Sequence, residues 1–208
     1  RDAAVLSSNL HDIPERHRNL VSLFDQSCER LTPMDRDALM ACAVFAGGFD
    51  ARAAAAVAGC ELASLFRLVD GSLLQVSDGR FAMHPLLRQL VLSRSGAATD
   101  RLRAGHGEYF MAVLADAAAH LEGPGQLDAL DALGADFANV SAAWRWAAAN
   151  SRVDLLVAAR RGLVAYLMRG HYAEGEVLAR LGAEAARESE EPAVLAALED
   201  GDNELPMA

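Results

Sequence analysis

The chain has no lysine: all 19 of its basic side chains are arginine. That absence alone excludes the usual phosphate loop, GxxxxGK[ST], whose lysine reaches the phosphates. No such run occurs anywhere in the 208 residues, so this chain by itself is not expected to bind or hydrolyse ATP in the P-loop manner, or to be an enzyme. Its three cysteines, Cys28, Cys42 and Cys60, form no CxxC pair. Each sits in an apolar stretch and reads as a buried free thiol of a reducing cytoplasm. No apolar run reaches the roughly 18 residues that a membrane span needs, and no charged-then-apolar leader opens the chain. It begins at Arg1-Asp2 without a methionine and reads as a piece of a longer cytoplasmic protein.

What the chain has instead is alanine and acid. Hydrophobic residues make up 52% of it, enough for a sizeable core, and the alanine favours close-packed helices over sheets. The net charge is −10 and uneven: residues 1–100 carry 10 Arg against 12 Asp and Glu, residues 101–208 carry 9 against 17. An acidic surface repels phosphate backbones, which argues against nucleic acid as a direct partner, most strongly for the second half.

Residues 1–17 are polar, contain Pro14, and read as a linker or arm. A first helix is expected from about Leu20 to Leu31. Thr32 as N-cap, Pro33 at the first helical position and Asp35 in the first turn then start a second. The second carries Leu39, Cys42, Ala43 and Phe45 and ends at Gly47-Gly48. Phe49-Asp50 leads into a short helix over 51–58, and a fourth over 61–70 turns Leu62, Leu65, Phe66 and Val69 inward. The period then changes. Runs at 73–76 and 80–83 flank Ser77-Asp78-Gly79, a hairpin signal, and Pro85 opens a helix with Leu86, Leu87, Leu90 and Val91 on its inner side. This is the element order of a winged-helix domain, placed over 18–96. Beyond a polar joint at 95–101, helices are expected near 101–121, 126–149, 152–169, 172–188 and 192–199. The pair joined by Gly170-His171 has the size of one tetratricopeptide unit. One unit cannot bury its face alone, so an array over 101–200 is expected to continue past the tail at 201–208. The fold class is therefore mainly α, a winged helix with a small hairpin followed by a tetratricopeptide-like array.

Several chemistries fall away on inspection. A DNA-reading helix needs outward Arg or Lys, and 61–70 offers only Arg67 beside Glu61 and Asp70. His11, His17, His106 and His120 read as solvated; the last two are fourteen apart and form no HxxxH pair. Asp128, Asp131 and Asp136 read as a solvated helix face, and Glu188 to Glu191 as an exposed helix end. Trp144 and Trp146 cannot share one helix face, so one is expected in the core and the other against a neighbouring helix.

Six short stretches, in order, resemble one family, the signal-transduction ATPases with numerous domains (STAND, or NB-ARC type), and within it the large LuxR-type ATP-binding regulators. Glu15 to Leu20 with Leu31-Thr32-Pro33 looks like the start of the family's winged helix. Val44-Phe45-Ala46-Gly47-Gly48-Phe49 is similar to its VFAGGF run. Leu68-Val69-Asp70-Gly71-Ser72-Leu73-Leu74 resembles LVDKSLL. Arg80 to Arg88 resembles the segment holding the family's MHD motif, with Met83-His84-Pro85 at the motif itself. Asn139 to Ala147 looks like NLRAALRWA, where its helical repeats begin, and Arg169 to Gly175 resembles the first repeat turn. The resemblance implies a cytoplasmic transcriptional regulator in which an upstream nucleotide-binding domain holds ATP or ADP. The motif histidine, here His84, reaches the ADP phosphate in the resting state. An imidazole suits that role as a hydrogen-bond donor. Pro85 departs from the family's Asp, removing a carboxylate that would cap the next helix while still fitting its first position. The implied partners are the chain's own upstream nucleotide-binding domain and an unknown ligand or protein on the repeats, with no membrane and no direct nucleic acid. Two other readings stand beside it: a tetratricopeptide-type adaptor that only binds proteins, and a transcription factor whose own winged helix binds DNA.

Overall fold

The computed structural model describes residues 24–94, 96, 98–121, 123–168 and 172–188. The chain is mainly helical, with one small antiparallel sheet. Residues 24–29 are helical. There follow α1 (Pro33–Cys42), β1 (Phe49–Asp50), α2 (Ala51–Ala58), α3 (Leu62–Asp70), β2 (Gln75–Ser77), β3 (Arg80–Ala82) and α4 (Pro85–Arg94). Four longer helices follow among the described residues: α5 (Ala98–Leu121), α6 (Gln126–Ala149), α7 (Val153–Leu167) and α8 (Tyr172–Glu188). The expected arm at 1–17, the start of the first helix at Leu20, the Gly170-His171 turn, the helix at 192–199 and the tail at 201–208 lie outside the described residues. No described helix is long and apolar enough to cross a membrane.

Local chemistry sets most of the boundaries. Thr32 caps α1: its hydroxyl oxygen accepts from the Asp35 amide at 3.1 Å and donates to the Asp35 carboxylate at 2.8 Å, with Pro33 at the first position. Asp50 caps α2 by accepting from the Ala53 amide at 2.7 Å, and Gly59 ends that helix at φ +61°. Asp78 and Gly79 both take positive φ, 51° and 74°, as a two-residue type I′ hairpin requires, and the strands pair Val76 with Phe81 and Ser77 with Arg80.

Three expectations need correction here. α1 stops at Cys42, not at Gly47-Gly48, so Phe45 sits in a turn rather than on the helix. Phe49-Asp50 forms a third strand: β1 pairs with β3, Phe49 opposite Phe81, and the sheet order is β1-β3-β2. α3 is rotated from its expected face. Leu65 and Leu68 are fully buried and Ser64 nearly so, while Leu62 and Phe66 are about half exposed. Asp35 causes the rotation. Buried at the start of α1, it takes a two-pronged bond from Arg67 of α3, whose Nη2 also donates to Ser64 at 2.8 Å. The arginine holds the Asp35 carboxyl down at about 2, against the opposing effect of burial.

The second half is packed differently. α5 lies along both α6 and α7, and α8 closes against α6 and α7. Small residues let these helices approach. A Cβ on Gly162 of α7 would stand 1.9 Å from the Leu114 carbonyl oxygen of α5, and one on Gly107 of α5 would meet the Trp146 ring of α6 at 2.1 Å. Trp144 is the buried tryptophan, its Nε1 donating to the Leu178 carbonyl at 2.8 Å; Trp146 is the one that packs on a neighbouring helix. Truncating a buried tryptophan of this kind to alanine costs about 4 kcal/mol. One continuous apolar cluster runs from Phe24 through Phe45, Phe110 and Trp144 to Ala185, so the two halves share a core.

Candidate functional site

His84 occupies the two-residue step between the end of β3 and the start of α4. Its side chain is exposed and its Nδ1 accepts from the Leu86 amide at 3.3 Å, while its carbonyl accepts from the Arg88 amide at 2.9 Å. The imidazole therefore caps α4 itself, taking over what an aspartate one residue later would otherwise do. A neutral histidine that accepts at Nδ1 carries its proton on Nε2, which leaves Nε2–H as an outward donor.

Two arginines, one turn of chain to either side, fix the segment that carries His84. Arg88 Nε donates to the Phe45 carbonyl at 2.7 Å. Arg80 Nη2 donates to the Gly48 carbonyl at 2.7 Å, to the Ala135 carbonyl at 3.1 Å and to the Asp136 carboxylate of α6. Both thus hold the turn at 45–48. Asp136, expected on a solvated face, is a partner in this junction.

The other side of that turn belongs to Asn139 of α6, which is fully buried. Its Oδ1 accepts from the Ala46 amide at 2.8 Å and the Gly47 amide at 3.2 Å; its Nδ2 donates to the Gly48 carbonyl at 2.9 Å. Gly47 makes the approach possible, since a Cβ there would stand 3.0 Å from Ala138. His106 of α5 is the fourth partner, its Nε2 lying 3.3 Å from Asn139 Oδ1. An amide oxygen only accepts, so His106 is the donor.

The placement of His106 corrects its reading as a solvated side chain: it is 4% exposed and sits against the rings of Phe45 and Phe110. Burial pushes its pKa down to about 4; the bond to Asn139 opposes this and the Arg88 charge adds to it. Sequence reasoning missed both His106 and Asn139 as partners. The available signal was the spacing of His106 four residues before Phe110, which puts both on one helix face.

Around the hairpin, Leu62, Phe66 and Val76 are exposed, with Phe66 edge-on to Phe81 at 5.8 Å; Leu86 is exposed beside His84. Among the described residues, no three His, Cys, Asp or Glu side chains gather as a metal-binding group. An acidic cleft between α5 and α6, lined by Asp116, His120, Asp128 and Asp136, also takes in Arg52 of α2. No protein-family model matches the chain, and neither the curated proteins nor the solved structures compared with it give a match.

Proposed function

We propose that the chain is the regulatory part of a STAND-type nucleotide switch. Residues 18–96 act as a winged helix that couples the nucleotide state of an upstream ATPase domain to a tetratricopeptide-like array over 101–200. The observation that carries this reading is a convergence. Three of the stretches that resemble the family, 44–49, 80–88 and 139–147, are far apart in sequence yet meet at one junction. Asn139 holds the 46–48 turn, and Arg80 and Arg88 hold that same turn to the segment bearing His84.

The chemistry at His84 fits a phosphate. The ring presents an N–H donor, and with Pro85 in the next position no carboxylate from that position repels an anion. The exposed apolar side chains Leu62, Phe66, Val76 and Leu86 suit a face covered by another domain. ATP or ADP would be held by the upstream domain, with His84 the residue of this chain that contacts it. A ligand or protein would act on the helical array, and transcription would be regulated through an output domain outside this chain.

Direct reading of DNA by α3 loses support, because its one arginine is committed to Asp35 and its exposed face carries Leu62 and Phe66. The test is an ADP titration of the protein extended upstream by about two domains' length, beside this chain alone. The longer protein should bind ADP, this chain should not, and His84→Ala should weaken the longer protein's binding by about tenfold to a hundredfold, the worth of a hydrogen bond to a charged group. If the longer protein binds no nucleotide, the switch reading fails and a protein-binding adaptor takes its place.

A further inference from the structure

Cys42 and Cys60 meet away from the junction described above. Cys42 is the last residue of α1, and Cys60 follows Gly59, the left-handed cap of α2. The two side chains are neighbours. Cys60 Sγ also lies 3.9 Å from the carbonyls of Ala38 and Ala58. Ala38 precedes Cys42 by one helical turn, so Cys60 rests on the same stripe of α1 that presents Cys42.

The two thiols differ in access. Cys42 is sealed in the core at 0% exposure. Cys60, 7% exposed, lines a cavity of about 650 Å³ whose wall includes Met34, Ser64, Arg94 and Leu102. Their acidities diverge in the same sense. The neighbouring Cys60, and then burial, keep Cys42 a thiol, while the neighbouring Cys42 draws Cys60 below the usual thiol range against the effect of burial. Cys28 is a built-in control: it is half-buried, and burial and the Asp25 charge raise its pKa.

The geometry points to a peroxide-reactive dithiol, with Cys60, reached from the cavity, as the attacking sulfur and Cys42, behind it, as the resolving one. The Cys60 thiolate attacks one oxygen of a hydroperoxide; the S–O bond forms as the O–O bond breaks. The other oxygen leaves as hydroxide or alkoxide and takes a proton to become water or alcohol. Cys60 is then a sulfenic acid. The Cys42 sulfur attacks the Cys60 sulfur, the S–O bond breaks, and the Cys42 proton departs with that oxygen as a second molecule of water. The sulfur pair has lost two electrons and the peroxide has gained them. The product ties the end of α1 to the step between α2 and α3. This inference is independent of the nucleotide-switch reading and uses neither His84 nor any residue that holds the 45–48 turn.

The test is to expose the reduced chain to a small excess of hydrogen peroxide, alkylate the remaining thiols, digest it and map the peptides by mass spectrometry. The expected result is a Cys42–Cys60 disulfide with Cys28 alkylated. A Cys42→Ser protein should stop at a Cys60 sulfenic acid that dimedone captures. The proposal is overturned if the native protein keeps Cys42 and Cys60 reduced, or if Cys28 is oxidised before either. The native digest gives this answer even where the serine variant does not fold.

Discussion

The two halves of the molecule hold themselves together by different means. Residues 24–94 rely on short-range polar devices: the Thr32 cap, the Asp50 cap, the type I′ turn and the Asp35–Arg67 clamp between α1 and α3. Residues 98–188 rely on long helices brought close by glycine and filled by tryptophan. The first kind of region loses stability in steps of one polar contact. The second has little slack, because a backbone atom cannot move aside as a side chain can. The junction between them is a third case, a part-buried polar network centred on the buried side chains of Asn139 and His106.

The largest break in this contrast should come from Gly162→Ala. The new methyl would stand 1.9 Å from the Leu114 carbonyl oxygen, and α5 and α7 would have to separate. A loss of about 4 kcal/mol is expected, at the upper end for overpacking. Urea unfolding measures it, and hydrogen exchange should show the loss concentrated in α5 and α7 with the 24–94 region less affected. An equal loss of protection in both regions would mean that the shared core, not local packing, governs stability.

The junction should respond to acid next. His106 is neutral in the folded chain down to about pH 4, whereas an unfolded histidine takes up its proton near pH 6.5. The contribution is complete above pH 6.5 and is lost as the pH falls through 4, because the unfolded state binds a proton that the folded state refuses. The loss should approach about 3 kcal/mol. Urea midpoints at neutral and mildly acidic pH check this, and a His106→Gln protein should lack that segment of the pH dependence.

Smallest is Asp35→Asn, which removes the charge that holds Arg67 but keeps the side chain's shape. About 2 kcal/mol should be lost at neutral pH, since Asp35 is buried but Arg67 is half in water. The folded carboxyl titrates at about 2, so the variant's deficit should be present above pH 4 and shrink as the pH falls through 2. Guanidinium unfolding across that range measures it. A deficit that persists in acid would assign the loss to packing instead.

These contrasts also explain what could be read from the sequence. Caps, turns and long amphipathic helices are local, and the bounds of α2, α4, α6 and α8 match their expected limits at 51–58, 126–149 and 172–188 and with Pro85 as the first residue of α4. The inner face of α3 was not legible. Its nine residues carry Leu62, Leu65, Phe66, Leu68 and Val69, which cover most of its circumference, so spacing cannot choose among stripes. Asp35, thirty-two residues away, chooses. β1 is two residues long and shows no alternation to find. At the candidate site, His84 was legible as a strand-to-helix step, through its resemblance to a motif. Asn139 was legible only as a letter in such a motif, because its partners in the 46–48 turn lie more than ninety residues upstream.

The Gly48 carbonyl is held by two donors, Arg80 from the sheet and Asn139 from α6. α6 is a rod of 24 residues, about 36 Å long, and Asn139 lies past its middle. A displacement of its far end therefore acts like a force on a lever whose pivot grips the hairpin strand. The rod either carries the 46–48 turn with it or breaks three hydrogen bonds at once, so that joint resists a small push and yields all together.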